Sequence, residues 1–171
     1  KQKVEMGLQG PMIIEDPTNK VMTDSDTVLV FDDVALDEFG NYRSFDLNYM
    51  HGRSGMMIVN GEEQPTTTVL GESHRFRLIN TANSRNFYLN FGGNTATVIG
   101  EDIGFIKPYN VTYLTIVPGE RFDIIINTNN SFSIEISGNT LIKSFIISFI
   151  SSLISTISFP NSHFLLALGY D

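Results

Sequence analysis

Cysteine is absent from the 171-residue chain. Within these residues that excludes a disulfide, a thiol nucleophile, a zinc–thiolate site, an iron–sulfur cluster and a blue-copper thiolate. Tryptophan is also absent, and the aromatic content rests on 13 Phe and 6 Tyr, a composition that suits a β-rich core. Basic residues are scarce: 11 Lys and Arg stand against 19 Asp and Glu, for a net charge of −8 and a pI near 4.7. A nucleic-acid binder needs a basic footprint, so no nucleic-acid partner is expected. Histidine occurs three times, at His51, His74 and His163, too scattered to form a ready-made metal site. The chain starts at Lys1 with neither an initiator Met nor a signal-peptide pattern, and is expected to be a piece of a longer protein.

Charge is lacking in one region above all. Residues 131–171 contain only Glu135, Lys143 and Asp171 as charged groups, alongside ten Ser and eight Ile. A compositional boundary is therefore expected near Asn130. Beyond it, Ile146, Ile150, Leu153 and Ile157 recur at helical spacing with serines between them. The window Ser144–Phe159 has 16 residues, nine of them apolar, whereas a membrane span needs about 20. From Leu141 onward the tail is expected to pack poorly, as a loose helix or an irregular segment.

What is present before the boundary is short alternating segments punctuated by turns. Strands are expected at Thr27–Leu36, Met56–Val59, His74–Asn80, Asn86–Phe91, Thr95–Ile99, Val111–Val117 and Arg121–Asn127, with Ser131–Ile136 able to add one more. Phe76, Leu78, Phe87, Leu89, Phe122 and Ile124 are expected to point inward, with Arg75 and Arg77 on the opposite face of their strand. Gly92-Gly93, Pro108 and Pro118-Gly119 read as breaks, and Asn60-Gly61 as a turn. Many short strands at regular spacing imply an all-β sandwich or barrel.

Four phrases stand out: GLQGPMIIEDP at Gly7–Pro17, an apolar strand closed by an acidic turn; HGRSGMMIVNGEEQP at His51–Pro65; GESHRFRLINTANSRNFYL at Gly71–Leu89; and VPGERFDIII at Val117–Ile126. Each alone is a structural phrase without a catalytic constellation. The side chains of Glu120, Arg121 and Asp123 suit local charge-assisted hydrogen bonds.

Together and in this order the phrases resemble the multicopper oxidase family, which includes laccases, over Gly7 to Asn127. The resemblance implies an all-β, cupredoxin-like Greek-key β-sandwich, incomplete, with an anomalous Ile/Ser-rich C-terminal tail. Residues 1–20 then correspond to the terminal strand of a preceding cupredoxin-like domain, 21–138 to the middle domain, and 139–171 to the atypical uncharged tail. In such a family a parent protein takes electrons from a phenol or a metal ion at a type 1 copper. It passes them to a trinuclear copper centre, where oxygen is reduced to water. The copper ligands are His-x-His pairs and a Cys with two His, carried by the outer domains. This sequence has no His-x-His and no Cys, so no catalytic, cofactor-binding or metal residue carries over. The resemblance implies copper in the parent and none bound by this chain. It also implies flanking cupredoxin-like domains of the same parent chain as partners, and an extracytoplasmic location.

The remaining polar candidates each have a plainer reading. His51 sits in a loop without a second ligand near it in sequence. His74 is read on the solvent-facing side of its strand, beside Arg75, and His163 lies in the anomalous tail. The cluster Asp32, Asp33, Asp37 and Glu38 offers carboxylates to a hard cation but lacks calcium-loop spacing, and reads as a solvated acidic turn. Sequons begin at Asn110 and Asn129. The rival to an oxidase fragment is a non-enzymatic β-sandwich binding or adhesion module tethered by the tail, which requires the tail to be a membrane anchor.

Overall fold

Alternation along β1 (Ser25–Val34), β4 (Ser73–Asn80) and β9 (Arg121–Asn127) turns one apolar row of each strand toward a common interior. The computed structural model describes residues 2–5, 7–18, 20–43, 55–137 and 142–150. The other strands are β2 (Met56–Val59), β3 (Thr66–Leu70), β5 (Phe87–Asn90), β6 (Ala96–Glu101), β7 (Gly104–Val111), β8 (Tyr113–Ile116), β10 (Phe132–Ser137) and β11 (Ile142–Ile150). A one-turn helix, α1 (Gln2–Glu5), precedes them, and no helix among the described residues is long and apolar enough to cross a membrane.

Two sheets face each other. One runs β2-β1-β4-β9-β6-β7 and the other β3-β11-β10-β5-β8. β1 lies parallel to β4, and β4 antiparallel to β9 with Phe76 opposite Ile124 and Leu78 opposite Phe122. The six residues expected inside are there: Phe76, Leu78, Phe87, Leu89, Phe122 and Ile124 are all buried, while Arg75 and Arg77 lie on the other face of β4. Aromatic rings close the gap between the sheets. Phe31 meets Phe87 at 5.7 Å between centroids, and Phe76 meets Phe132 edge-on at 6.4 Å.

The Asn-Gly turn forms as expected. Asn60 (φ 52°) and Gly61 (φ 87°) both take left-handed backbone, which Asn and Gly tolerate best. The Asn60 side chain also pins β1, accepting from Val30 N at 2.8 Å and donating to Val28 O at 3.0 Å.

Four expectations need correction. Gly7–Pro17 is not a strand: it is an extended arm with no ladder partner, because a strand exists only through a neighbour and Pro11 offers no N–H. Pro108 does not break the chain but lies inside β7. That strand sits at the edge of its sheet, where a missing donor is tolerated. β3, which the sequence reading passed over, is a Thr-rich edge strand with one buried residue, Val69. Most consequential is the tail. Instead of a loose helix, Ile142–Ile150 forms β11, antiparallel to β10 (Phe132 opposite Ile147) and parallel to β3 (Ile146 opposite Thr66). The run IKSFIISFI is rich in β-branched and aromatic residues, whose β-propensity outweighs the helical spacing. β10 therefore has partners on both sides. The rest of the tail reading, including Leu153, Ile157 and His163, falls on residues 151–171, outside the described residues.

Candidate functional site

The richest polar assembly lies on the outer face of the six-stranded sheet, where the registers set acidic and basic residues side by side. Asp26 of β1 is level with Arg75 of β4, and Arg77 is level with Asp123 of β9. Arg75 reaches Asp123 Oδ2 at 2.5 Å with Nη2 and Asp26 Oδ2 at 3.4 Å with Nη1. Arg77 clasps Asp26 through Nε at 2.9 Å and Nη2 at 2.6 Å, and that bond raises the already high Arg77 pKa. Phe105 of β7 places its ring 5.7 Å from the Arg75 guanidinium carbon.

Over this face runs the N-terminal arm. Glu15 stands 3.6 Å from Arg77, and Gln9 donates a hydrogen bond to Asp32 Oδ2. Between arm and sheet lies an open cavity of about 610 Å³, with Ile13, Met22, Arg75, Phe105 and Asp123 among its lining. Met12, Ile14 and Met22 expose 83%, 85% and 86% of their surface, so much of the arm's apolar content is uncovered in this chain.

The acidic cluster is divided by the strand it belongs to. Successive residues of β1 point to opposite faces, so Asp32 meets the arm while Asp33 enters the interior and pairs with Arg85. Burial pushes the Asp32 carboxyl up to about 6 and raises that of Asp33 as well. Asp33 thus departs from the expected solvated turn. Asp37 and Glu38 do form one: Asp37 Oδ1 accepts from the backbone of Phe39 and Asn41, each at 2.9 Å. The four carboxylates do not converge on one point.

His74 is also corrected. It shares the even-numbered row with Phe76 and Leu78 and is fully buried, not solvent-facing. Its Nε2 donates to Thr128 O at 3.1 Å, which leaves Nδ1 to accept from the Ser25 hydroxyl at 2.8 Å. Both ring nitrogens are thereby committed to neutral partners. His51 and His163 lie outside the described residues. Among the described residues no group of three or more His, Cys, Asp or Glu is arranged to hold a metal. Among the described residues the donor set does not fit a type 1 copper centre, since the sequence has no thiolate and the described imidazole is committed. Of the sequons, Asn110 is exposed on β7 and accepts from Thr97 Oγ1 at 2.9 Å, and Asn129 is exposed in the turn after β9.

The sequence reading missed two residues that organise the turn between β4 and β5. Asn80 donates to Arg85 O at 2.8 Å and to Ile116 O at 2.9 Å, and accepts from Ala82 N at 3.0 Å. Arg85 pairs with Asp33 and reaches Gly55 O at 3.3 Å. The signal was the polar run TANSR between two apolar strands, which marks a turn but not which of its side chains is buried. The Pro-Gly turn fulfils its expected bonds more widely than locally. Glu120 accepts from Val117 N at 2.8 Å, Arg121 pairs with Asp102, and Asp123 reaches across to Arg75.

The comparisons agree with this architecture. The family model described as multicopper oxidase matches residues 20–148. The cell division protein FtsP of Salmonella typhimurium is 30% identical over 144 residues, 80% of this chain and 31% of FtsP. Laccase-18 of Oryza sativa is 39% identical over 59 residues, 34% of this chain and 10% of that protein. Among solved structures, the laccase-like multicopper oxidase CueO of Ochrobactrum sp. superposes with TM-score 0.63 at 30% identity, covering 75% of this chain and 31% of its own. A multicopper oxidase from Pseudomonas thermotolerans gives TM-score 0.67 at 19% identity over 84% of this chain and 36% of its own, a likeness of fold alone. The chain thus spans about a third of the length of FtsP. With a cupredoxin-like β-sandwich and a family match across most of its length, the chain belongs to the multicopper oxidase family.

Proposed function

We propose that this chain is the copper-free middle domain of a three-domain parent, holding a preceding and a following cupredoxin-like domain in fixed relation. The observation that carries the reading is the commitment of His74: its two ring nitrogens bind Ser25 and Thr128, inside a fold whose relatives are multicopper oxidases. In this reading residues 1–20, of which Gly7–Pro17 is an extended arm in this chain, take the place of the closing strand of the preceding domain, and 21–138 form the core of the middle one. The uncovered Met12 and Ile14 on the arm suit that role, because such side chains are ordinarily covered by the rest of a domain. The parent, outside the cytoplasm, oxidises a phenol or a metal ion with oxygen as acceptor. Its copper is held by the flanking domains.

The match to FtsP favours a second reading, in which the parent keeps the three-domain architecture for a role in cell division without oxidase chemistry. One experiment separates the two. The parent protein, purified after growth with copper, is assayed for copper content and for oxygen-dependent oxidation of a phenol and of Cu(I) or Fe(II). Bound copper with turnover supports the oxidase. A folded, copper-free and inactive parent supports the division-type reading.

A further inference from the structure

Gln9 and Asp32 meet where the arm crosses β1. The Gln9 amide nitrogen donates to Asp32 Oδ2, while Asp32 Oδ1 accepts from Asp33 N at 2.8 Å. The other end of the same amide, Gln9 Oε1, is buried and has no hydrogen-bond partner among the described residues. A buried carbonyl without a donor carries a desolvation penalty, which makes it an open acceptor. An ionised carboxylate has no proton to give it. A neutral carboxyl does, and a carboxylic acid facing a primary amide can exchange two antiparallel hydrogen bonds in one planar ring.

The geometry points to a proton-operated latch: two reciprocal hydrogen bonds between Gln9 and Asp32 hold the arm on the sheet when Asp32 is protonated, and one holds it when Asp32 is ionised. The surroundings suit this. Asp33, on the opposite face of β1, is the charged neighbour acting on Asp32, and its own charge is balanced by Arg85. Beside Asp32, β2 contributes Ile58, and Thr81, just past β4, donates its backbone N–H and its hydroxyl to Phe31 O; both residues are neutral. Among the described residues no cation lies in hydrogen-bond reach of Asp32, and burial, which outweighs the hydrogen bonds from Asp33 N and Gln9, favours its neutral form, with a midpoint of about 6. With the arm detached, Asp32 faces water and returns toward the ordinary range near 4. Closing the latch therefore takes up a proton. The extra hold is fully present below the detached-state value and is lost as pH rises through about 6. The second tie of the arm, Glu15 to Arg77, is an ion pair apart from Asp32, so the Asp32 proton acts on its own contact. The latch acts within this chain, whatever the chemistry of the parent.

The test uses the full chain labelled with ¹³C and ¹⁵N. The Asp32 carboxyl shift and the hydrogen-exchange protection of the Gln9 amides, each normalised to the unstructured rate, are followed from roughly pH 7 to pH 5. Asp32 is expected to titrate near 6, with Gln9 protection rising about three- to tenfold over the same interval, the ratio one hydrogen bond of ordinary net strength produces. In Asp32→Asn the side chain presents both a donor and an acceptor at every pH. Its protection should be flat and equal to that of the acid form of the parent sequence. In Gln9→Ala the neighbouring backbone amides should be poorly protected throughout. An Asp32 midpoint near 4, arm protection that ignores the Asp32 titration, or an unchanged pH profile in either variant overturns the latch. The titration of the unsubstituted chain decides the matter even if a variant fails to fold.

Discussion

Arg85 Nε lies 2.9 Å from Asp33 Oδ2 inside the sandwich, with 1% and 4% of the two side chains exposed. Such a pair adds little stability over an apolar filling, but losing one partner strands the other charge in a low-dielectric interior. Replacing Arg85 by Met should therefore cost about 3–5 kcal/mol, read from urea unfolding. The double replacement Asp33→Leu with Arg85→Met should recover much of that loss. Equal effects of the single and double variants would show that the pair is not coupled.

Phe76 is fully buried and meets Phe132 edge-on across the two sheets. Truncation to Ala leaves a cavity between rigid sheets and should cost about 3–5 kcal/mol. Phe105, on the outer face and 44% exposed, should tolerate the same change at about 1 kcal/mol or less. Thermal or urea denaturation of the two variants side by side tests the assignment of faces.

Among the described residues β3 pairs with β11 alone, and β11 also borders β10. Ending the chain after Ser137 should leave both β3 and β10 with unsatisfied edges, and edges of this kind recruit other chains. The truncated protein is expected to elute as aggregates and to melt lower than the full chain. A monomeric truncation product with unchanged melting would remove β11 from the fold's requirements.

Asp24 accepts backbone hydrogen bonds from Ser73 and Glu72, each at 2.8 Å, and these hold its carboxyl below the usual range. A lowered folded-state pKa contributes stability that is present above the unfolded value and is lost as pH falls through the folded one. Asp24→Asn should thus flatten the acid limb of the stability curve below about pH 4, measured as urea midpoint against pH. The same contact explains Gly71, at φ +80°, where an added Cβ would stand 2.3 Å from the Asp24 Cβ. Gly71→Ala should be destabilising at every pH.

Copper should find no stoichiometric site on the isolated chain. A type 1 centre needs a thiolate, and His74 has no ring nitrogen to spare. After incubation with Cu(II) and dialysis against a chelator, metal analysis should give far less than one copper per chain, with no blue absorption. A retained equivalent would contradict the assignment of His74.

The two faces of β4 and β9 were legible in the sequence because a period of two leaves only one consistent interior. Phe76, Leu78, Phe122 and Ile124 could not all be buried in any other register. The same rule, applied to His74, would have placed it inside. The adjacent Arg75 misled the reading, yet Arg75 is itself buried, folded against Asp123 and Asp26. Arg85 and Asp33 were not legible, since nothing local tells a turn arginine that its partner is a strand residue far upstream. β11 was missed for a related reason: spacing every three or four residues mimics a helix in a run nearly all apolar or Ser. A sheet with an open side decides otherwise. The Gln9–Asp32 contact depends on how the arm is laid over β1, and neither phrase carries a trace of it.

The parallel seam between β3 and β11 has a consequence for the order of events in synthesis. Ile146 is made well after Thr66, so β3 waits for its one neighbour among the described residues while nearly half of the 171-residue chain is translated. The six-stranded sheet needs no residue beyond Asn127 and can assemble first. Pairings distant in sequence are slow to form and leave strands uncovered meanwhile. A nascent chain of this protein is therefore most vulnerable in the interval between completing β9 and releasing β11, and that is when a chaperone would find it.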